Sequence, residues 1–204
     1  MCIKSARTVL VDLKSLNPKK IRTDQINMKK VLLLPGWIRS LRLYEDDGSL
    51  NFRIGKLGED DLRADYVIGM SLGALVVLQN ANRIKGKIIL INPLLPRRSL
   101  VSWFFICVRH ITREGLLFER QKFTRNPIKF FSTLLNCREL LGTDFSETLD
   151  GIPKEKILVI RGKDDRFYCD EKAVEFIKSK GINLIEVDGG HNWSESTEKA
   201  LRSV

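Results

Sequence analysis

The five-residue segment Gly69-Met70-Ser71-Leu72-Gly73 joins two apolar runs. The run before it, residues 66–68, is typical of a buried strand, and the run after it, residues 74–78, is typical of a helix. A Gly-x-Ser-x-Gly turn between a strand and a helix holds its serine in a strained conformation, and the glycines let the two elements approach closely. Ser71 is therefore a candidate nucleophile. The alternative is a turn that only packs the helix on the sheet.

Short apolar segments alternate with helical ones through much of the chain, which predicts an α/β fold. Strands are predicted at residues 31–34, 51–54, 66–68, 87–91, 157–160 and 183–187, of which the second is the weakest. Helices are predicted at residues 72–82, 170–180 and 194–203. Strands that alternate with helices form a mainly parallel sheet with right-handed crossovers, here of about six strands, with helices on both faces.

A stretch of helix alone, at about residues 96–150, interrupts this alternation, and we interpret it as an inserted helical lid. Residues 97–139 hold nine Lys and Arg against three acidic residues. We expect the aromatic side chains to face the sheet and the arginines to rim the opening, where they would attract an anionic group of a substrate. A solvated helix face is the alternative. The aromatic residues are Trp103, Phe104, Phe105, Phe130 and Phe131, and the arginines are Arg97, Arg98, Arg109, Arg113, Arg120 and Arg125.

The N-terminal segment, residues 1–28, is a basic extension. Residues 1–30 hold eight Lys and Arg against two acidic residues. Two interpretations stay open: a disordered, loosely held tail, which we favour, or an edge strand at residues 8–13. The remaining residues, 29–204, are long enough for one domain with a sizeable core.

Charge and cysteine content argue against several classes of protein. The net charge is +10, but no zinc-finger spacing or RNA-binding aromatic motif accompanies it, so we expect no nucleic-acid partner. No run of about 18 apolar residues and no signal-peptide pattern occurs, which predicts a cytoplasmic protein without stable membrane insertion. Widely spaced cysteines indicate free thiols rather than disulfides or a metal site. They are Cys2, Cys107, Cys137 and Cys169.

The loops that follow the strands carry the candidate chemistry, because the carboxyl ends of parallel strands meet at one edge of a sheet. Besides the Ser71 turn, these loops are residues 35–37, 161–166 and 189–193. A serine hydroxyl is a weak nucleophile unless a base takes its proton, and an imidazole does this best when a carboxylate fixes its tautomer. A serine, an acidic pair and His191 occur in that order along the chain.

The residue types alone leave two choices open. The acid is either Asp164 or Asp165, and His191 is either a base or a residue that caps a helix or lies at the surface. The other histidine, His110, lies in the insertion and is assigned no role.

Five segments together resemble the α/β-hydrolase superfamily, in particular small esterases of the biotin pathway. In chain order they are Leu-Leu-Leu-Pro-Gly-Trp, Ile-Gly-Met-Ser-Leu-Gly-Ala, Ile-Asn-Pro, Ile-Arg-Gly-Lys-Asp-Asp-Arg-Phe and Gly-Gly-His-Asn-Trp, and the resemblance covers about residues 29–204. The chain departs from the family at Pro35-Gly36, where members usually have His-Gly. It also lacks two strands before this loop and a full helix before the serine strand. The resemblance therefore implies a reduced α/β-hydrolase fold.

The resemblance also implies a role for each matching side chain. Ser71 would be the nucleophile, and His191 would be the general base and then the general acid. Asp165 would orient His191, and it is preferred to Asp164 because the family carboxylate usually lies three residues after the loop glycine, here Gly162.

The backbone N–H groups of Leu72 and Trp37 would form the oxyanion hole. The implied activity is hydrolysis of a small-molecule carboxylic ester or thioester through an acyl-enzyme, with no cofactor and no metal. Because two strands and a helix are missing, a second hypothesis is a catalytically silent α/β-hydrolase-fold module that binds a ligand without cleaving it.

Overall fold

A computed structural model of the chain describes residues 9–11, 29–34, 36, 57–113, 135 and 137–204. Within these residues, six strands form one sheet whose spatial order follows the order of the chain. The strands are β1 (Val9–Val11), β2 (Lys29–Leu34), β3 (Tyr66–Met70), β4 (Lys87–Ile91), β5 (Ile157–Gly162) and β6 (Asn183–Val187). Strands β2 to β6 are parallel, and β1 is antiparallel to β2. The predicted mainly parallel sheet is therefore confirmed.

The sixth strand comes from the N-terminal segment. Val9 pairs with Val31 and Val11 pairs with Lys29, so residues 9–11 follow the edge-strand alternative rather than the favoured tail. The physical reason is that β2 would otherwise present a row of unpaired backbone groups at the edge of the sheet. The weak strand predicted at residues 51–54 and the rest of residues 1–28 lie outside the described part of the chain.

Seven helices are described alongside the sheet in those ranges. They are α1 (Glu59–Leu62), α2 (Leu72–Gln79), α3 (Leu100–Arg113), α4 (Arg138–Gly142), α5 (Ser146–Gly151), α6 (Glu171–Ser179) and α7 (Glu195–Arg202), with 3₁₀ turns at Ala81–Arg83 and Lys154–Lys156. The predicted helices that follow β3, β5 and β6 are present as α2, α6 and α7. None of the described helices is long and apolar enough to cross a membrane.

Helices cover both faces of the sheet because successive strand side chains point to opposite faces. Leu32, Val67 and Leu90 belong to the larger core cluster, which includes the buried side chains of α2. On the other face, Ile68 and Leu201 belong to a smaller cluster to which α7 contributes. Helix α2 is buried from Leu72 to Leu78, which explains why its sequence is apolar all round.

The described part of the insertion contains α3, α4 and α5, as the helix-only pattern predicts, while residues 114–134 lie outside the description. Its aromatic side chains do not all face the sheet. Trp103 is 1% exposed and belongs to the larger core cluster, whereas Phe105 is 63% exposed. Phe130 and Phe131 fall in the undescribed range, so a lid remains an interpretation.

Candidate active site

The turn that carries Ser71 is strained and tightly packed. Ser71 has φ 53° and ψ −118°, a combination that non-glycine residues rarely adopt. The two flanking elements are pressed together, because a Cβ added to Gly69 would lie 2.6 Å from Ala74 Cα and 2.7 Å from Gly73 O. The Ser71 N–H donates to Ile91 O over 2.8 Å and so ties the turn to the end of β4. The surrounding structure therefore holds the serine in its unfavourable conformation.

The structure brings Ser71, His191 and Asp165 into one hydrogen-bonded line. His191 Nε2 lies 2.9 Å from Ser71 Oγ, and His191 Nδ1 lies 2.6 Å from Asp165 Oδ2. An ionised carboxylate can only accept, so Nδ1 carries the proton and Nε2 presents its lone pair to the serine hydroxyl. In this arrangement the imidazole can take a proton from Ser71 Oγ.

Asp165 is 1% exposed and is held by several donors. Besides His191, the backbone N–H groups of Phe167, Tyr168 and Cys169 donate to its carboxylate over 3.3, 3.0 and 3.1 Å. Burial alone would raise the pKa of the Asp165 carboxyl, but the His191 imidazole and these donors outweigh burial and hold that pKa below its usual value. The carboxylate is therefore ionised at neutral pH.

The other member of the acidic pair is placed differently. The side chain of Asp164 is exposed, and its backbone N–H donates to Gly189 O over 2.9 Å. Of the two candidates, Asp165 is the one whose carboxylate reaches His191. Asp165 and Asp164 are neighbours in the chain, yet the carboxylate of the first is buried and that of the second is exposed. Residue types alone do not reveal this difference.

Arg161 braces the loop that carries the acid, a contact that the sequence analysis missed. Its Nε donates to Cys169 O over 2.7 Å, and its terminal nitrogens donate to Glu186 over 2.6 Å and Glu171 over 2.8 Å. Cys169 is in turn one of the donors to Asp165. Burial, reinforced by the Asp165 charge, raises the pKa of the Cys169 thiol, so this thiol stays protonated and unreactive.

Two further residues beside His191 were also missed. The Tyr168 ring lies against the imidazole, with ring centroids 4.3 Å apart and planes inclined at 42°. The buried amide of Asn92 donates to the backbone carbonyl of His191 over 2.8 Å. Asn92 lies in the Ile-Asn-Pro segment of the family resemblance, which implied no role for it, and Tyr168 directly follows the segment that carries the acid.

The backbone donors predicted for an oxyanion hole are described in part. Leu72 is the first residue of α2, where N–H groups have no partner within the helix and the helix dipole is positive. Gly36 brings the loop after β2 against the serine, because a Cβ at Gly36 would lie 2.9 Å from Ser71 Cβ. Trp37 lies outside the described residues.

The predicted basic rim is altered by an ion pair. Arg98 donates to Asp170 Oδ1 over 2.5 Å, and its guanidinium lies 5.3 Å from the centroid of the Trp103 ring. Arg98 therefore joins the insertion to the start of α6 instead of presenting a free charge to a substrate. Among the other arginines, Arg97 and Arg109 are exposed, while the Arg113 side chain, Arg120 and Arg125 lie outside the description. Among the described residues, no three His, Cys, Asp or Glu side chains converge as metal ligands would.

Comparisons with known proteins give limited similarities. No protein-family model matches the chain, and no curated protein matches it. Similar solved structures include an enol-lactonase from Burkholderia xenovorans LB400 (18% identity, TM-score 0.47), the thioesterase domain from the curacin biosynthetic pathway (17%, 0.40) and a hydrolase from Pseudomonas aeruginosa PA01 (20%, 0.44). The alignments cover 70%, 74% and 69% of this chain, and 64%, 68% and 62% of those chains.

At such identities and TM-scores, these similarities assign no activity to the chain. The fold is identified from the chain itself, by its parallel strands, its strained serine turn between β3 and α2, and the order serine, aspartate, histidine in loops after β3, β5 and β6. These are the features of the α/β-hydrolase fold, and this chain has that fold in a reduced form.

Proposed function

We propose that the chain is a serine hydrolase that cleaves a small-molecule carboxylic ester or thioester through an acyl-enzyme. Ser71 is the nucleophile, His191 is the general base and then the general acid, and Asp165 orients the imidazole. The observation that carries this proposal is the pair of hydrogen bonds, 2.9 Å at Ser71 and 2.6 Å at Asp165, that meet on His191. A turn that only packed a helix on a sheet would need neither a base nor a buried acid in line with its serine.

Acylation begins when Ser71 Oγ attacks the carbonyl carbon of the substrate while His191 Nε2 takes the hydroxyl proton. The carbonyl oxygen becomes an oxyanion, and the carbon becomes tetrahedral. The proton on Nε2 then passes to the oxygen or sulfur of the leaving group, and the bond between that atom and the carbon breaks. An alcohol or thiol departs, and the acyl group stays on Ser71.

Deacylation repeats these steps with water. His191 takes a proton from the water molecule as its oxygen attacks the acyl carbon, and a second tetrahedral intermediate forms. As this intermediate collapses, His191 Nε2 gives the proton to Ser71 Oγ, the bond between Oγ and the acyl carbon breaks, and the carboxylic acid leaves. Asp165 remains ionised throughout and stabilises the imidazolium that forms in each half of the cycle. Because these side chains supply the nucleophile, the base and the acid, the proposed reaction requires no cofactor.

In the same proposal, the oxyanion is stabilised by the N–H groups of Leu72 and Trp37. Two observations support this part. The Leu72 N–H lies at the positive end of α2, one residue after the nucleophile. The close approach of Gly36 to Ser71, where a Cβ would lie 2.9 Å away, puts the residue before Trp37 beside the reacting centre.

Arg98 would not hold an anionic group of the proposed substrate. Arg98, which was expected to attract such a group, is paired with Asp170 over 2.5 Å. Arg97 and Arg109 are exposed and would attract an anion only weakly, since salt screens exposed charges.

Labelling with a fluorophosphonate tests the proposal, because this reagent reports an activated serine whatever the natural substrate. We expect wild-type protein to be labelled and to hydrolyse a short p-nitrophenyl ester, and Ser71→Ala to lose both reactions while keeping its fold. Ser179→Ala is the matched control, since it removes an exposed hydroxyl that donates to Phe176 O. Folded wild-type protein that shows neither reaction would contradict the proposal and favour the silent binding module. A parallel assay with the matching thioester separates the two substrate classes.

A further inference from the structure

We infer that Asn92 is a positioning residue that sets the place of His191 relative to Ser71. The inference deepens the proposed hydrolase function and rests on it for its kinetic consequences. It concerns a residue that touches no reacting atom and acts through the backbone of the base.

Asn92 follows β4 directly, is 1% exposed and uses its side-chain amide in three directions. Its Nδ2 donates to His191 O over 2.8 Å and to Gly190 O over 3.2 Å. Its Oδ1 accepts from the Gly162 N–H over 2.8 Å. A primary amide has two N–H donors and one carbonyl oxygen, so both donors and the acceptor atom are engaged.

The backbone around Asn92 holds the serine turn as well. The Asn92 N–H donates to Ile160 O over 2.9 Å, and the preceding carbonyl, Ile91 O, accepts from the Ser71 N–H over 2.8 Å. Ile91 and Asn92 at the end of β4 therefore contact the serine turn through the main chain. The Asn92 side chain contacts both the acid loop (residues 161–166, which carries Asp165) and the base loop (residues 189–193, which carries His191).

The acid and base loops meet where Asn92 binds them. A Cβ at Gly162 would lie 2.2 Å from Gly190 O and 2.4 Å from Gly189 O, so only glycine allows this approach. The Asn92 amide fixes both sides of the contact, because it bonds to the Gly162 N–H and to the Gly190 carbonyl. Buried amide bonds of this kind specify a position, since leaving any of the three partners without a bond would be costly.

The backbone of Asn92 supports the same interpretation. Its φ is 43°, in the left-handed region that asparagine tolerates better than most residues. Strain of this kind persists where surrounding contacts over-determine the conformation. The contacts that hold Asn92 in this conformation are its hydrogen bonds to the acid loop and the base loop. The strain at Asn92 and the fixed position of His191 therefore have the same cause.

Kinetics of two variants test the inference. Asn92→Gly removes all three side-chain bonds but suits the positive φ, and Asn92→Asp keeps the acceptor for Gly162 while losing both donors. We expect kcat and the rate of fluorophosphonate labelling to fall about 10²-fold in Asn92→Gly, as for a small displacement of a catalytic group. KM should change by less than about threefold, because ground-state binding is not altered. Asn92→Asp puts a buried carboxylate oxygen against the carbonyl oxygens of His191 and Gly190, so its kcat should fall at least as far as that of Asn92→Gly.

Asn80→Gly is the matched control. Asn80 is also a buried asparagine, 4% exposed, and its Nδ2 donates to Val76 O over 2.9 Å at the end of α2. It should cost stability without lowering kcat at temperatures where the protein is folded. An equal fall of kcat in Asn80→Gly, or wild-type kcat in both Asn92 variants, would overturn the inference.

A second readout does not depend on activity. The sequence has two histidines, so ¹⁵N imidazole spectra contain two sets of signals, and His110→Gln assigns them. We expect a single Nδ1-protonated tautomer for His191 in the wild type and in Asn80→Gly, and a mixture in Asn92→Gly, whose imidazole is displaced from Asp165. An unchanged tautomer in Asn92→Gly would overturn the inference. Wild-type protein with the fixed tautomer but no labelling would count against the hydrolase proposal alone.

Discussion

At the scale of single residues, Asp165 links the fold to the proposed chemistry. It is buried, yet it is surrounded by the N–H groups of Tyr168 and Cys169 and by the imidazole of His191. These donors stabilise the carboxylate and aim it at Nδ1, so the charge that orients the imidazole is fixed before any substrate binds. Fixed charges of this kind need no rearrangement during the reaction.

Substitutions of the two neighbouring acids, Asp164 and Asp165, should have very different effects on catalysis. Asp165→Asn should lower kcat by roughly 10⁴-fold, because the amide leaves His191 in the wrong tautomer. Asp164→Asn, which changes an exposed side chain, should leave kcat within about twofold. Steady-state hydrolysis of the p-nitrophenyl ester measures both. The reverse order would assign the orienting carboxylate to Asp164.

The second residue-scale prediction concerns acid stability. The pKa of the Asp165 carboxyl is lower in the native protein than its usual value, so the native state favours the ionised form more than the unfolded chain does. The resulting stabilisation is complete above the unfolded pKa, about 4, and is lost as the pH falls through the lower native pKa.

Urea unfolding between about pH 5 and about pH 2 measures this effect. In Asp165→Asn the free energy of unfolding should fall less over this range than in the wild type, whereas Asp164→Asn should follow the wild type. An equal fall of the free energy of unfolding in the wild type and in Asp165→Asn over this pH range would contradict the prediction.

The order of residue types after the strands predicted that Ser71, His191 and one acid of the pair Asp164 and Asp165 meet. The choice of Asp165 came from the family resemblance. The sequence could not predict Asn92 in its role. The partners of Asn92 lie 70 and 99 residues away, and an asparagine after a strand has the same local signature as an ordinary turn. Asp164 and Asp165 are the same residue type, and their different burial and hydrogen-bond partners depend on the fold of the whole loop.

At the scale of elements, the contact between β3 and α2 determines the geometry of the serine turn. Helix α2 approaches β3 at Gly69, where any side chain would meet the backbone of Gly73 and Ala74. This close approach is what makes the turn sharp. Its glycines therefore have a structural role that is separate from the chemistry of the serine.

Alanine substitutions should have opposite effects at two glycines, because Gly69 is tightly surrounded and Gly142 is not. A methyl group at Gly69 would lie 2.7 Å from Val77 Cγ2 and 2.6 Å from Ala74 Cα, so Gly69→Ala should lower the free energy of unfolding by about 1–3 kcal/mol. Gly142→Ala meets no atom within 4 Å and should raise it by about 0.4–1 kcal/mol. Thermal melting should shift by about 2–4 °C per kcal/mol. Equal melting temperatures for the two variants would contradict this account of the turn.

Strands β2 to β6 were predictable because each is a short apolar run between turn residues. Strand β1 was not preferred, since three residues of a basic segment carry little signal by themselves. Its pairing depends on the free edge of β2, which is a property of the sheet rather than of residues 9–11.

At the scale of the whole molecule, the insertion is joined to the loop that carries the acid. Arg98, near the start of the insertion, pairs with Asp170, five residues after Asp165. The same Asp170 caps α6 by accepting from the Ala173 N–H over 3.2 Å. The sequence showed the positive charge of the insertion but not the partner of Arg98, so it placed this arginine in a free basic rim where the structure has a partly buried ion pair.

A double-mutant cycle tests whether this ion pair holds the insertion to the domain. Arg98→Met removes the charge, and Asp170→Asn removes the opposite charge while keeping an oxygen that can cap α6. The side chains are 12% and 24% exposed, so their coupling energy should be about 1–3 kcal/mol. The control cycle, Lys163→Met with Asp188→Asn, changes a pair that is 57% and 86% exposed, and its coupling should stay below about 1 kcal/mol and vanish in high salt. Urea unfolding of the two sets measures both energies. If the two cycles gave equal coupling energies, Arg98 would behave as a solvated charge, and its assignment to a basic rim would be the better interpretation.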